Sequence, residues 1–217
     1  MVVSSASFIP PELSGVERFL ALALPAMQEA LRPLEVGTSS PASIPLFLGL
    51  PSSRPGLSES LPSDLAAWIA TVRSERTHLY PLETFASGNA SGLMAFEEAC
   101  RKLNHHETDF CLVGGCDSYL EAETLEWLDE QEQLKSALNT WGFVPGEAAG
   151  FCLLASRQVA RERLLTVLGR VVAVAPATSD SRPPELAPVP AVASEAGRRA
   201  TAKNRSAALA RKVTTGW

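Results

Sequence analysis

The sequence is poor in several of the residue types that carry chemistry. Its 217 residues include three histidines, His78, His105 and His106, so no histidine lies in the last half of the chain. Four cysteines, Cys100, Cys111, Cys116 and Cys152, form no CxxC pair, which argues against a structural zinc site and against a disulfide framework. They sit within apolar segments and read as buried free thiols of a cytoplasmic protein. No apolar run reaches the roughly 18–20 residues needed to span a bilayer. The most apolar stretch, Phe19 to Met27, is short and broken by Pro25, and no basic flank with an apolar follow-on marks a secretory signal. Neither a membrane nor a nucleic acid is an expected partner, since the net charge is −5. No internal repeat marks a solenoid, and neither a metal nor a cofactor is implied.

What is present is an ordinary globular composition, 46% hydrophobic and 20% charged, long enough to bury a core. Charge is unevenly placed: from Arg198 onward six basic residues occur without an acidic one. That stretch, rich in Pro, Ala and Arg, shows no helical or strand period, so residues 178–217 read as a disordered tail and 1–177 as the folded domain. Without interleaved aromatics the basic tail is a weak electrostatic patch, read as solvated rather than binding.

Residues 14–31 have helical periodicity, with Ser14 and Glu17 at capping-box spacing and Pro25 expected to kink or split the helix. Ile44 to Leu50 is a strand-length apolar run stopped by Pro51. Ser63 is a candidate cap for a helix whose Leu65, Trp68, Ile69 and Val72 share a face. His78 to Phe85 reads as a strand entering the turn Ser87-Gly88-Asn89-Ala90-Ser91-Gly92, followed by a helix with Leu93, Phe96, Cys100 and Leu103 in register. Further expectations are a strand from Asp109 to Val113 ending at Gly114-Gly115 and an acidic helix from about Glu121 to Leu138. A glycine-punctuated turn from Gly142 to Gly150 should follow, with strands at Phe151–Ala155 and Leu165–Val174. Strands alternating with helices favour an α/β layered fold with a mainly parallel sheet.

The strand-turn-helix unit at 79–103 is the most informative segment. A strand that turns sharply into a helix presents one side chain at an elbow, beside the free N–H groups and positive end of the helix. Gly88 to Gly92 misses the hydrolase pattern G-x-S-x-G by one position, with Ala90 where the serine would stand. Ser91 therefore reads as a helix-start residue, and Cys100 as core. Asn89 is an amide and is neither nucleophile nor base.

The succession Ser87 to Gly92, then a helix, then Asp109-Phe110-Cys111-Leu112-Val113-Gly114-Gly115, resembles the β-ketoacyl synthases. The run Gly142-Phe143-Val144-Pro145-Gly146-Glu147-Ala148-Ala149-Gly150 is similar to that family's GFVPGEGAG stretch, with Ala148 replacing one glycine. The resemblance covers roughly residues 79–175 and implies the N-terminal half of a thiolase-like layered fold. It places the family's nucleophilic cysteine on Asn89, so the acyl-accepting thiolate is missing. The family's two catalytic histidines lie in the second half of its fold, and His105-His106 read instead as exposed helix-end residues.

Gly146 and Glu147 are implied as substrate-binding, with a turn-shaping role for Glu147 weighed beside it. The expected function is a non-catalytic synthase-like protein of fatty-acid or polyketide type. The alternative is residual acyltransfer or malonyl-thioester decarboxylation completed by a partner. The resemblance implies a homodimer, or a heterodimer with a synthase subunit, through about His78–Phe85, and an acyl carrier protein as a further partner.

Overall fold

The computed structural model describes residues 3–35, 42–72 and 77–174; the expected tail, 178–217, lies outside them. The element order is α1 (Gly15–Glu35), β1 (Ala42–Gly49), α2 (Leu61–Thr71), β2 (Thr77–Phe85), a 3-10 turn (Gly88–Ala90), α3 (Ser91–Asn104), β3 (Phe110–Ser118), α4 (Ala122–Glu130), β4 (Glu147–Ala155) and α5 (Arg157–Glu162). The four strands form one sheet in the order β2-β1-β3-β4. β1 is parallel to both β2 and β3, whereas β4 returns antiparallel on β3.

Two layers of helix cover the sheet, and the side-chain period of two assigns each strand residue to one of them. Ile44, Leu46 and Leu48 of β1 join Leu112 of β3 under α1 and α2, where Phe19, Met27, Leu65 and Ile69 complete the larger core. Phe47, Cys111 and Val113 point the other way, against Ala95 and Ala99 of α3. β1 is therefore buried on both faces, which explains why Ile44–Leu50 reads as a continuous apolar run rather than an alternating one.

Several expectations are corrected. Pro25 does not split α1, which runs unbroken through it and Pro33. Pro25 is exposed, so the helix loses a hydrogen bond on its solvent side while the buried stripe continues beneath. α2 begins at Leu61 with Ser60 as its cap, placing Pro62 in the first turn where its missing N–H has no intrahelical partner to lose. Trp68 is 58% exposed, off the buried face of Leu61, Leu65 and Ile69. In α3 the buried face is Ser91, Ala95 and Ala99, and Leu93 is turned outward. The small residues bring the helix close to the sheet.

β3 continues through Gly114 and Gly115 to Ser118, because β4 pairs along its whole length from Glu147 to Ala155. Glu147–Gly150 of the expected Gly142–Gly150 turn is consequently strand. α4 stops at Glu130, eight residues short of Leu138. Glu132 adopts a positive φ of 53°, and Leu134 turns back to bridge Phe143. Gly142 permits that return, since a Cβ there would lie 2.3 Å from the Leu134 carbonyl carbon. Leu165–Val174 is not a strand: no described strand pairs with it, and its β-branched residues stand in solvent. β-propensity describes fit to a pleated neighbour and does not act without one. Among the described residues no helix is long and apolar enough to cross a membrane, and no group of three or more His, Cys, Asp or Glu side chains is placed to hold a metal.

Candidate functional site

The elbow between β2 and α3 forms as its residues dictate. Gly88 has φ +69°, a conformation that L side chains rarely adopt. Asn89 and Ala90 follow in the single 3-10 turn, and the Ser91 N–H closes it on the Gly88 carbonyl. Ser91 is 2% exposed, and its Oγ accepts the Ser87 N–H at 2.7 Å. Its hydroxyl thus stitches the turn together, which is the helix-start role. Asn89 itself is exposed.

Asn89 sits on the rim of a shallow recess of about 260 Å³ where the ends of β1, β3 and β4 meet the start of α3. Gly49, Gly92, Gly115 and Gly150 line it together with Cys116, Asp117, Ala148 and Ala149. Backbone crowding accounts for Gly49 and Gly115, whereas a Cβ on Gly92 or Gly150 would meet nothing within 4 Å. A Cβ on Gly49 would stand 2.6 Å from the Gly92 nitrogen, and one on Gly115 2.7 Å from the Gly49 carbonyl oxygen. Gly114, one residue back, would meet the Gly150 carbonyl oxygen at 2.1 Å. The three glycine-bearing segments singled out in the sequence therefore converge, and Asn89 does stand beside the Ala148–Gly150 end of the glycine run.

Gly146 and Glu147 do not line the recess. The Glu147 carboxylate is fully shielded from solvent. It accepts Arg18 Nε at 2.6 Å, Arg18 Nη2 at 2.9 Å, the Ala6 N–H at 2.9 Å and Ser118 Oγ at 2.9 Å. Burial pushes this carboxyl up, but the hydrogen bonds from Arg18, Ala6 and Ser118 outweigh it and hold it below the usual carboxylate range. Gly146 contacts the N-terminal segment through Ser4, and its carbonyl accepts the Tyr119 N–H at 3.0 Å. Both residues shape the β4 entry.

The sequence reading missed Cys116 and Asp117. Cys116 is a thiol at the recess, but burial, with a lesser contribution from Asp117, pushes it up to about 12, so it is protonated at neutral pH and no substitute nucleophile. Asp117 is the one charged side chain among the lining residues. Arg54 grips it in bidentate fashion, Nη2 to Oδ1 at 2.5 Å and Nη1 to Oδ2 at 3.2 Å, while its guanidinium lies 4.1 Å over the Tyr119 ring. No short motif joins Arg54 to Asp117; only the extension of β3 past its glycines could have signalled it. His105 and His106 are exposed at the end of α3, as expected. Cys152 is exposed rather than buried, because it lies on edge strand β4.

A family model described as the N-terminal domain of β-ketoacyl synthase matches residues 52–160. Among solved structures, a type II PKS acyl-carrier protein in complex with its ketosynthase bound to the hexaketide has a TM-score of 0.53 at 15% identity, over 76% of this chain and 49% of that one. The ketosynthase from module 6 of the bacillaene synthase from Bacillus subtilis 168 gives TM-scores of 0.44 and 0.41 in two structures, at 22% and 20% identity. The matches cover 69% and 74% of this chain but only 27% and 30% of those chains. The chain thus spans less than half the length of each of these ketosynthases. No curated protein matches it.

Proposed function

Since this chain belongs to the β-ketoacyl synthase family through its match to that family's N-terminal domain, we propose that it serves as a non-catalytic, synthase-like subunit of fatty-acid or polyketide type. The observation that carries this reading is the carboxamide of Asn89 at the elbow. Condensation by transfer through a thioester needs a sulfur nucleophile to accept the acyl group, and an amide nitrogen, its lone pair delocalised, forms no such ester. The thiol that lines the same recess, Cys116, is buried and protonated at neutral pH. The free cysteines fit a cytoplasmic location.

A subunit without its own chemistry acts through partners. β2 (Thr77–Phe85) is an edge strand of the described sheet, the kind of strand through which a second chain can add to a sheet. Self-association, or pairing with a catalytically complete synthase, through about His78–Phe85 is the proposed use of that edge. An acyl carrier protein is the further partner proposed, in keeping with the carrier bound in one of the structures similar in fold.

The experiment is acylation of the purified chain by an acyl thioester, followed by intact-mass spectrometry. The native chain stays unmodified, and so does a mixture with a carrier protein loaded with the same acyl group. A covalent acyl adduct on the native chain in the absence of other proteins sinks the reading. Sedimentation supplies the second arm: a monomer at micromolar concentration, alone and with a full-length synthase, removes the partnering role.

The exposure of Asn89 in an open recess favours one second reading, malonyl-thioester decarboxylation with histidines supplied by a partner that closes over the site. Carbon dioxide release from a malonyl thioester by the mixture, absent from the partner alone, would establish it.

A further inference from the structure

Two patches of opposite sign face solvent on this chain. The first begins at α5. Arg157 and Arg161, four residues apart and so on one side of that helix, are exposed. Arg170, in the segment that follows, is exposed too, and the only acid among them is Glu162. A fourth arginine, Arg163, lies 5.4 Å over the Phe110 ring and ties the end of α5 to β3. Between and beyond these charges Leu164, Val167, Leu168 and Val172 also stand in solvent, each at least 66% exposed. The second patch is α4 with the turn after it. From Glu121 to Glu132 the chain carries six acidic residues and no basic one. Glu123, Glu126 and Glu130 share the side of α4 away from the buried Thr124 and Leu128, and Asp129 and Glu132 are exposed beside them. Leu138 and Trp141, in the loop beyond, are exposed large apolar side chains. Among the described residues no ion pair joins Arg157, Arg161 or Arg170, or any of these five exposed acids, to another group.

We infer that these patches are the two halves of one interface between copies of this chain. The surface from α5 to Val172 of one copy packs on α4 and the following loop of a second copy. Charge carries the choice of partner. With a net charge of −5, two copies repel at long range, so contact is favoured where opposite charges face each other locally. The chain offers such a match to itself, since each patch also has exposed apolar side chains at its margin. Apolar contact supplies burial, while the charges set orientation, because like patches brought together repel. Each copy holds both patches, so a two-fold arrangement engages them twice, the basic surface of each on the acidic surface of the other. The contact uses neither the recess nor β2, so it stands apart from the edge-strand pairing proposed above.

The test is sedimentation velocity of the full chain and of charge-reversed variants at micromolar concentration, in low and in high salt. The native chain should sediment as a larger species in low salt than in high salt, because salt screens exposed charges beyond about 8–10 Å. Arg157→Glu with Arg161→Glu sets acid against acid, and Glu126→Lys with Glu130→Lys sets base against base. Each doubly substituted chain alone should therefore lose the larger species. An equimolar mixture of the two should regain it, since both contacts of the mixed pair then join opposite charges. All four positions are exposed, so the circular dichroism of each variant should match that of the native chain. Three results would overturn the inference: a native chain of one size in both salts, reversals that leave the larger species intact, or a mixture that fails to regain it. An association that survives both salt and reversal would belong to the β2 edge instead.

Discussion

Arg18 of α1 and Glu147 of β4, 129 positions apart, form a two-pronged ion pair, Nε to Oε2 at 2.6 Å and Nη2 to Oε1 at 2.9 Å, with both side chains out of solvent. The pair fastens the first helix to the last strand and sets where β4 begins. Removing one member of a buried pair strands the other charge, which costs about 3–5 kcal/mol. Arg18→Ala should therefore lower unfolding stability by that order in a urea titration. Arg18→Lys should recover only part of it, because an ammonium cannot reproduce the planar fork. Equal stability of Arg18→Ala and the native chain would show that the pair does not fasten these elements.

The same pair fixes a pH dependence. Burial raises the Glu147 carboxyl, but hydrogen bonds from Arg18, the Ala6 N–H and Ser118 bring it below its ordinary value. A carboxyl depressed in the folded state contributes stability that is fully present above its unfolded value, about 4.3. That contribution is lost as pH falls through the lower folded value. Chemical denaturation at a series of pH values should show the native chain losing stability as pH falls below about 4.3. Glu147→Gln, less stable near neutrality, should have a shallower slope there. Parallel curves for the two proteins would refute the assignment.

The glycines make a sharper comparison. A Cβ on Gly114 would lie 2.1 Å from the Gly150 carbonyl oxygen and 2.5 Å from Phe151 Cδ1, whereas one on Gly92 would meet nothing within 4 Å. Gly114→Ala should force β3 from β4 and destabilise by about 1–3 kcal/mol or more, the range for overpacking. Gly92→Ala, in the first turn of α3, should be neutral or stabilising by up to about 1 kcal/mol, the helix-propensity difference. Thermal denaturation of the two variants side by side reads the contrast, and a similar melting shift in both would count against the crowded geometry.

These sites bear on what the chain spelled out. The larger core was legible because the unbroken apolar run Ile44–Leu50 and the helical stripe of α1 are both set by local sequence. The convergence of Ser87–Gly92 with Ala148–Gly150 was legible through the order and spacing of the glycine-bearing segments, of which Gly88 is required by its positive φ. The bound state of Glu147 was not, since its partner Arg18 lies in another element and no local pattern links them. The end of α4 escaped for a similar reason: an acidic, helix-favouring run is interrupted by the return of Leu134 to Phe143, a tertiary contact. Leu165–Val174 has strand composition without a strand beside it.

Ser91 and Asn89 are two residues apart and should respond oppositely to truncation. The Ser91 hydroxyl is buried and accepts the Ser87 N–H at 2.7 Å, so Ser91→Ala leaves a donor in the turn without its partner. A cost of about 1 kcal/mol is expected in a denaturant titration, the net worth of one hydrogen bond whose donor, on exposed Ser87, can turn to water. Asn89 is exposed, so Asn89→Ala should stay within about 0.5 kcal/mol of the native chain. Asn89→Cys should be as stable and add a reactive thiol at the elbow, titratable by a thiol reagent in the folded protein, where Cys116 is not. If Asn89→Ala is the damaging change and Ser91→Ala the silent one, the amide holds the turn, and its presence where a nucleophile would stand is a matter of folding rather than of lost chemistry.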